Sequence, residues 1–179
     1  MKLVTRAAVA LVLLVVGLAV AGCNTTGAFD DPNSGSTDDP AVGFANAKPD
    51  SEEYFVVHIG RRVYFSRGSA EIDDIAREVL DLQANWLNKN RKWLVKLQGF
   101  ADDPGSNAAN IELSQRRADA VMAYLASKGV DPRRMWAKGY GKERPVRNCS
   151  ELACTAQNRR VNVNLRKEYD AAAPQYTGG

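Results

Sequence analysis

The sequence is poor in the residues from which catalytic and metal centres are built. Its 179 residues include one histidine, His58, and three cysteines, Cys23, Cys149 and Cys154. It has no Gly-rich phosphate loop, no Gly-x-Ser-x-Gly turn, and no His/Cys/Asp grouping at metal-ligand spacing. A solitary histidine beside a strand-like run reads as structural. Asp102 and Asp103 are adjacent carboxylates followed by Pro104-Gly105, a turn composition in which neighbouring side chains point apart. Glycan hydrolysis would need a second carboxylate placed across the scissile bond, and none stands out. No enzyme, metal or cofactor is therefore expected. An internal repeat is also missing.

Charge is unevenly spread. From Asn24 to Glu53 seven acids face Lys48 alone, whereas from Tyr54 onward 21 basic residues outnumber 14 acidic ones, a net of +7. A basic domain on an acidic tether suits a polyanionic or carboxylate-bearing partner. Its basic residues are scattered rather than clustered with aromatics, which argues against nucleic acid.

The one long apolar run lies at the N-terminus. Lys2 and Arg6 precede Ala7 to Ala21, and the run ends at Val20-Ala21-Gly22-Cys23. It is too short and one-sided for a good membrane span and has the order of an export signal. Val-Ala-Gly-Cys resembles the lipobox of bacterial lipoproteins, which implies cleavage after residue 22 and acylation of Cys23. Asn24 follows where the sorting rule for inner-membrane retention places Asp, which implies delivery to the outer membrane. Export leaves Cys149 and Cys154 as an even pair in an oxidising compartment, so a disulfide is expected. Closing so short a loop is worth about 2 kcal/mol in the chain-entropy model.

Residues 23–53 carry Asp, Pro, Gly, Ser, Asn and Thr without a hydrophobic period and read as an acylated cysteine and flexible tether. Residues 169–179 read as a frayed tail. Between them, over 54–168, strand and helix patterns alternate. Tyr54 to His58 and Arg61 to Phe65 read as short strands. Ser69 is the expected N-cap of a helix from Ala70 to about Asn88, with Ile72, Ile75, Ala76, Val79, Leu82 and Trp86 as its apolar stripe. Trp93 to Phe100 and Met135 to Tyr140 are further strands. Val161, Val163 and Leu165 alternate with polar neighbours in a last one, buried on one face. The class is α+β, a β-α-β-α-β sandwich with a returning strand, its mixed sheet covered on one face by two helices.

The second helix, Asn110 to Ser127, is the unusual element. Leu113, Ala120, Val121, Tyr124 and Leu125 form one stripe at about 100° per residue, and Asn110 and Arg117 fall in the middle of it. Arg116 falls off it toward solvent. A core-facing arginine needs an anionic partner, because an unpaired buried charge is costly. A carboxylate of the preceding loop could serve, and so could one on a ligand.

The segment Asn110 to Leu125 resembles the signature helix of the OmpA-like C-terminal domain family, peptidoglycan-associated lipoprotein type. The family pattern of Asn, Leu-Ser, Arg-Ala, Val and Leu is met at every fixed position. Gly99-Phe100-Ala101-Asp102, Gly139-Tyr140-Gly141 and Asn158-Arg159-Arg160-Val161 are similar to its other motifs, and the resemblance covers about Val63 to Leu165. Phe65 matches a strand-end aromatic, but Phe65-Ser66-Arg67-Gly68 stands where many members have Phe-Asp-Phe-Asp. The Cys149–Cys154 segment departs as well. The resemblance implies that Asp102 and Arg117 hold the diaminopimelate of peptidoglycan stem peptides. Asn110, Phe65, Asn158 and Arg159 are further site candidates. Diaminopimelate ends in an ammonium and a carboxylate, which suit Asp102 and the Arg117 fork respectively. In the empty site the two would face each other. The function so implied is a lipid-anchored tether of the outer membrane, its domain in the periplasm. The alternative is an envelope protein-interaction module, a partner of Tol-like proteins or of a secretion apparatus, with peptidoglycan binding secondary.

Overall fold

The computed structural model describes residues 46–146, 151–171 and 173. The export signal, Cys23 and most of the tether therefore lie outside the described residues, as do Cys149 and residues 174–179.

In chain order the elements are α1 (Glu52–Tyr54), continued by a π-helical turn (Phe55–Ile59), β1 (Arg62–Tyr64), α2 (Asp74–Lys89), β2 (Leu94–Gly99) and α3 (Asn107–Ser127). A 3₁₀ turn (Pro132–Arg134), β3 (Met135–Gly139), α4 (Leu152–Asn158) and β4 (Arg160–Arg166) complete them. The sheet order is β1-β4-β2-β3. The returning strand thus inserts between the first two, antiparallel to both, while β2 and β3 run parallel. One sheet face presents Val63, Val95, Leu97, Met135, Val161, Val163 and Leu165 to apolar residues of α2 and α3 in a single core.

Three expectations fail, each for a local reason. The run from Tyr54 to His58 is helical, not a strand. Ser51 Oγ accepts from the Tyr54 amide, and Phe55 is buried against Trp86 with ring centroids 4.9 Å apart. Cap and packing outweigh the β-branched composition. Second, α2 starts at Asp74 rather than Ala70. Asp73 Oδ1 caps the Ala76 amide at 2.8 Å, whereas Ser69 Oγ only accepts from Glu71 in a turn. Asp73→Ala should cost about 1 kcal/mol, read as a shift of the urea midpoint at unchanged slope. Third, the buried face of α2 is Ala76, Leu80, Gln83 and Leu87, with Trp86 beside it, while Ile75 is 76% exposed and Leu82 is 53% exposed.

The domain also reaches further than 54–168. Trp86 and Trp93 donate their indole N–H groups to the carbonyls of Pro49 and Asp50, and Lys92 pairs with Asp50. At the other end Asp170 accepts from Lys96 and Trp136 on the sheet face away from the helices, and Tyr169 packs on Trp136. The buried Trp93 and Trp136 rings each need a partner for an N–H, and the flanking chain supplies it.

Helix α3 lies closely against the strand ends. A Cβ on Gly99 would fall 2.0 Å from the Ser114 carbonyl oxygen, and one on Gly139 would fall 2.5 Å from the Gln115 nitrogen. Into that space run the bonds that dock the helix. Gly139 N–H donates to Gln115 Oε1 at 2.7 Å and Gly141 N–H to Ser114 Oγ at 2.8 Å. Ser106 caps the helix, which starts at Asn107 rather than Asn110, and it ends where Gly129 turns back at φ 91°.

Candidate functional site

Arg117 emerges from α3 into the space under the loop that leaves β2. Its side chain is fully buried, at 0% exposure. The carboxylate that meets it is Asp103, not Asp102. Arg117 Nη1 donates to Asp103 Oδ2 at 2.9 Å, in an ion pair whose acid is only 5% exposed. The adjacent aspartates do point apart, and it is the second that turns inward. Asp103 Oδ1 accepts from the Gly68 amide at 2.6 Å, and its own backbone is held by Asn110.

The rest of the guanidinium is engaged by main chain. Nε donates to Ser69 O at 2.8 Å, Nη2 to Ser66 O at 3.0 Å, and Nη1 also reaches Phe100 O at 3.4 Å. The Phe65 ring lies 5.4 Å from the guanidinium carbon. Burial pulls the guanidinium below its ordinary value, and Asp103 opposes that shift. Of five N–H donors, four are taken among the described residues. The bidentate grip expected of it is already used on the protein. Asn110 is likewise committed. It is 1% exposed and bonds Asp103 twice and the Ser106 carbonyl once, which assigns it to ordering the loop.

Asp102 points the other way and is half-buried. Its Oδ2 accepts from Asn158 Nδ2 at 2.8 Å, and Asn158 Oδ1 accepts from the Val146 amide. No other hydrogen bond to Asp102 occurs among the described residues, which leaves Oδ1 open. Arg159 is half-buried at the end of α4. Nε donates to Phe65 O and Nη1 to Thr155 Oγ1, both at 3.3 Å, and Nη2 has no hydrogen bond among the described residues.

Four of the six residues inferred from sequence thus converge here: Asp102 with Asn158, and Phe65 with Arg159. Arg117 and Asn110 lie beneath as the frame. Sequence reasoning missed Asp103 as the key of that frame. Its signal was the neighbouring Asp102 itself, since two adjacent loop carboxylates cannot both face inward. The departure Phe65-Ser66-Arg67-Gly68 is also explained. This loop is held by its main chain, through Ser66 O, Ser69 O and Gly68 N–H, and needs no acidic side chain of its own. Among the described residues no three or more His, Cys, Asp or Glu side chains are placed to hold a metal ion, and no helix is long and apolar enough to cross a membrane.

Similarity to known proteins places the chain in a family. The OmpA family profile matches residues 64–159. A peptidoglycan-associated lipoprotein of Mesorhizobium japonicum is 38% identical over 155 residues, covering 87% of this chain and 90% of its own. That of Rhizobium meliloti is 37% identical, with 84% of each chain covered. Among solved structures, the peptidoglycan-associated lipoprotein of Burkholderia pseudomallei superposes with a TM-score of 0.61 at 30% identity. The match covers 66% of this chain and all of that one. The C-terminal domain of Helicobacter pylori MotB follows at 0.55 and 25% identity, covering 62% and 85% of the two chains. The chain belongs to the OmpA family, and its domain is of the peptidoglycan-associated lipoprotein type.

Proposed function

We propose that this protein is an outer-membrane lipoprotein that anchors the membrane to the cell wall by binding diaminopimelate in peptidoglycan stem peptides. The observation that carries the reading is the open oxygen of Asp102, held in place by Asn158 above a locked loop. An ammonium of diaminopimelate meets Asp102 Oδ1. Its carboxylate meets Nη2 of Arg159 near Phe65, while the buried Arg117 holds the loop beneath through Asp103. Binding is noncovalent, and the site works as a clamp rather than a catalyst. Acylated Cys23 holds the chain to the outer membrane, the acidic segment up to about residue 47 spans the gap, and the domain lies in the periplasm. Weak individual clamps suffice, because many copies on one polymer gain avidity from local concentration.

Cosedimentation with purified diaminopimelate-type peptidoglycan tests the reading. Asp102→Ala should lose about 2 kcal/mol of binding or more, as for a charged partner removed from a paired site, with a modest loss of stability from the Asn158 bond that Asp102→Asn, which keeps an acceptor, should largely avoid. Lysine-type peptidoglycan, which lacks the second carboxylate, should bind worse. Undiminished sedimentation of Asp102→Ala would remove the assignment. We also propose the Cys149–Cys154 disulfide. Mass spectrometry of the mature protein should then find no free thiol at either position.

A further inference from the structure

A cleft of about 450 Å³ runs along the outer side of β1, between that strand and the first turns of α2. Val63 and Tyr64 line it from the strand, Ile75 and Val79 from the helix, and Arg159 closes one end. A second hollow of about 370 Å³, lined by Val56, Ile59 and Arg61 among others, shares Arg62 and Val79 with the first and continues it away from Asp102. The two form one groove.

β1 is the edge strand of the sheet. Val163 N–H donates to Arg61 O and Phe65 N–H to Arg159 O, so residues 61 and 65 turn their main-chain groups toward β4. By the two-residue period of a strand, Arg62 and Tyr64 turn theirs outward. Among the described residues nothing bonds those outward groups. The groove beside them is apolar and open, with Ile75 76%, Tyr64 46% and Val56 37% exposed. Its rim is cationic. Arg61, Arg62 and Arg159 stand along it, and the one acid in its lining, Asp73, is already committed as the cap of α2.

We propose that this edge takes up an extended segment of a partner protein, alternating apolar and acidic residues, as a fifth strand. Main-chain bonds to Arg62 and Tyr64 supply the pairing, and the alternate side chains supply the selection. Side chains on the inner face of the added strand enter the cleft between Val63 and Ile75 or Val79. Those on the outer face meet Arg62, whose side chain lies on the exposed side of β1. A second copy of this chain is the wrong occupant, because edge-to-edge pairing would bring two cationic rims of Arg61 and Arg62 side by side, and like charges held close are destabilising. The groove touches the diaminopimelate site only at Phe65, Ser66 and Arg159, so the two surfaces can be tested separately.

The test uses the mature protein and an acetylated eight-residue peptide alternating glutamate and valine. Fluorescence anisotropy should show saturable binding that weakens as salt rises. Exchange of the Arg62 and Tyr64 amides should slow when the peptide is bound. Ile75→Glu, at an exposed helix position, should weaken binding about tenfold by like-charge repulsion, and a lysine–valine peptide should bind at least about tenfold worse. Tyr64→Pro, which removes an outward N–H and is compatible with an edge strand, should abolish it. Cell-wall sedimentation by Ile75→Glu should stay at the wild-type level. Equal binding of the lysine–valine peptide, or unchanged affinity in Ile75→Glu, would overturn the proposal. So would unchanged exchange at Arg62 and Tyr64. Protection of those amides that grows with protein concentration alone would also overturn it, by giving the edge to a second copy.

Discussion

Replacing Arg117 with alanine should lower the melting temperature of the domain by about 10–20 °C or prevent folding. Breaking a buried pair by removing one partner costs about 3–5 kcal/mol, because the remaining charge stays buried and uncompensated. For a domain of this size each kcal/mol moves the midpoint by about 3–5 °C. Here the remaining charge would be Asp103, 5% exposed, and three main-chain carbonyls would lose their donor as well. Asp103→Ala should be similarly damaging, since it strands the guanidinium and the Gly68 amide. The double variant should cost clearly less than the sum of the two, because each single change already forfeits the same pair. Melts of the four proteins followed by circular dichroism give the coupling directly. A purely additive result would mean that the pair is not the lock of the site. Arg117→Ala alone therefore cannot assign a ligand contact, whereas Asp102→Asn, which keeps an acceptor for Asn158, can.

Gly99→Ala should be the other severe change. A Cβ there would sit 2.0 Å from the carbonyl oxygen of Ser114, a backbone atom in the middle of α3 that cannot rotate away. Either β2 or the helix must move, and overpacking of this kind costs about 1–3 kcal/mol or more. The shift would lengthen the bonds from Gly139 and Gly141 to Gln115 and Ser114, because all four residues lie at the same crossing. Urea unfolding should show a lower midpoint at unchanged slope. Cell-wall binding should fall with it, since Gly99 leads directly into the loop that carries Asp102. Gly68→Ala makes a useful contrast. Nothing lies within 4 Å of its Cβ position, and only the strain of φ 71° is added.

The polar features of the chain were more legible in sequence than its apolar ones. Arg117 on the stripe of α3 demanded a buried anion, and one is there. The Gly129 stop and the apolar positions of β4 also follow from local pattern, but β4 is not one-sided, because Arg160 and Asn164 on its polar face are buried as well. The phase of α2 did not. Ile75 and Leu82 are large and apolar, so they drew the stripe toward themselves, while the buried face uses Ala76 and Gln83, and Gln83 bonds the Gly60 carbonyl. That choice depends on which turn α2 packs against, a long-range fact. Residues 54–58 misled for the same reason, because a Ser51 cap and the Trp86 ring decide them. At the site, the residues inferred from sequence lie near one another, but Arg117 and Asn110 are buried in the frame of the loop and Arg117 pairs with Asp103 rather than Asp102. A pair of adjacent aspartates announces that one turns inward. Which one depends on where Gly68 and Arg117 lie, and that appears only once β1, β2 and α3 are assembled.

The division of labour between the two aspartates is open to one titration. A soluble muropeptide containing diaminopimelate should bind the mature protein measurably by isothermal calorimetry. Asp102→Asn should weaken that binding about tenfold or more, as expected when a charge partner is lost, while its melting temperature matches wild type. Asp103→Asn should instead melt at a clearly lower temperature. Wild-type affinity in Asp102→Asn would contradict the assignment of Asp102 as the residue that holds the ligand.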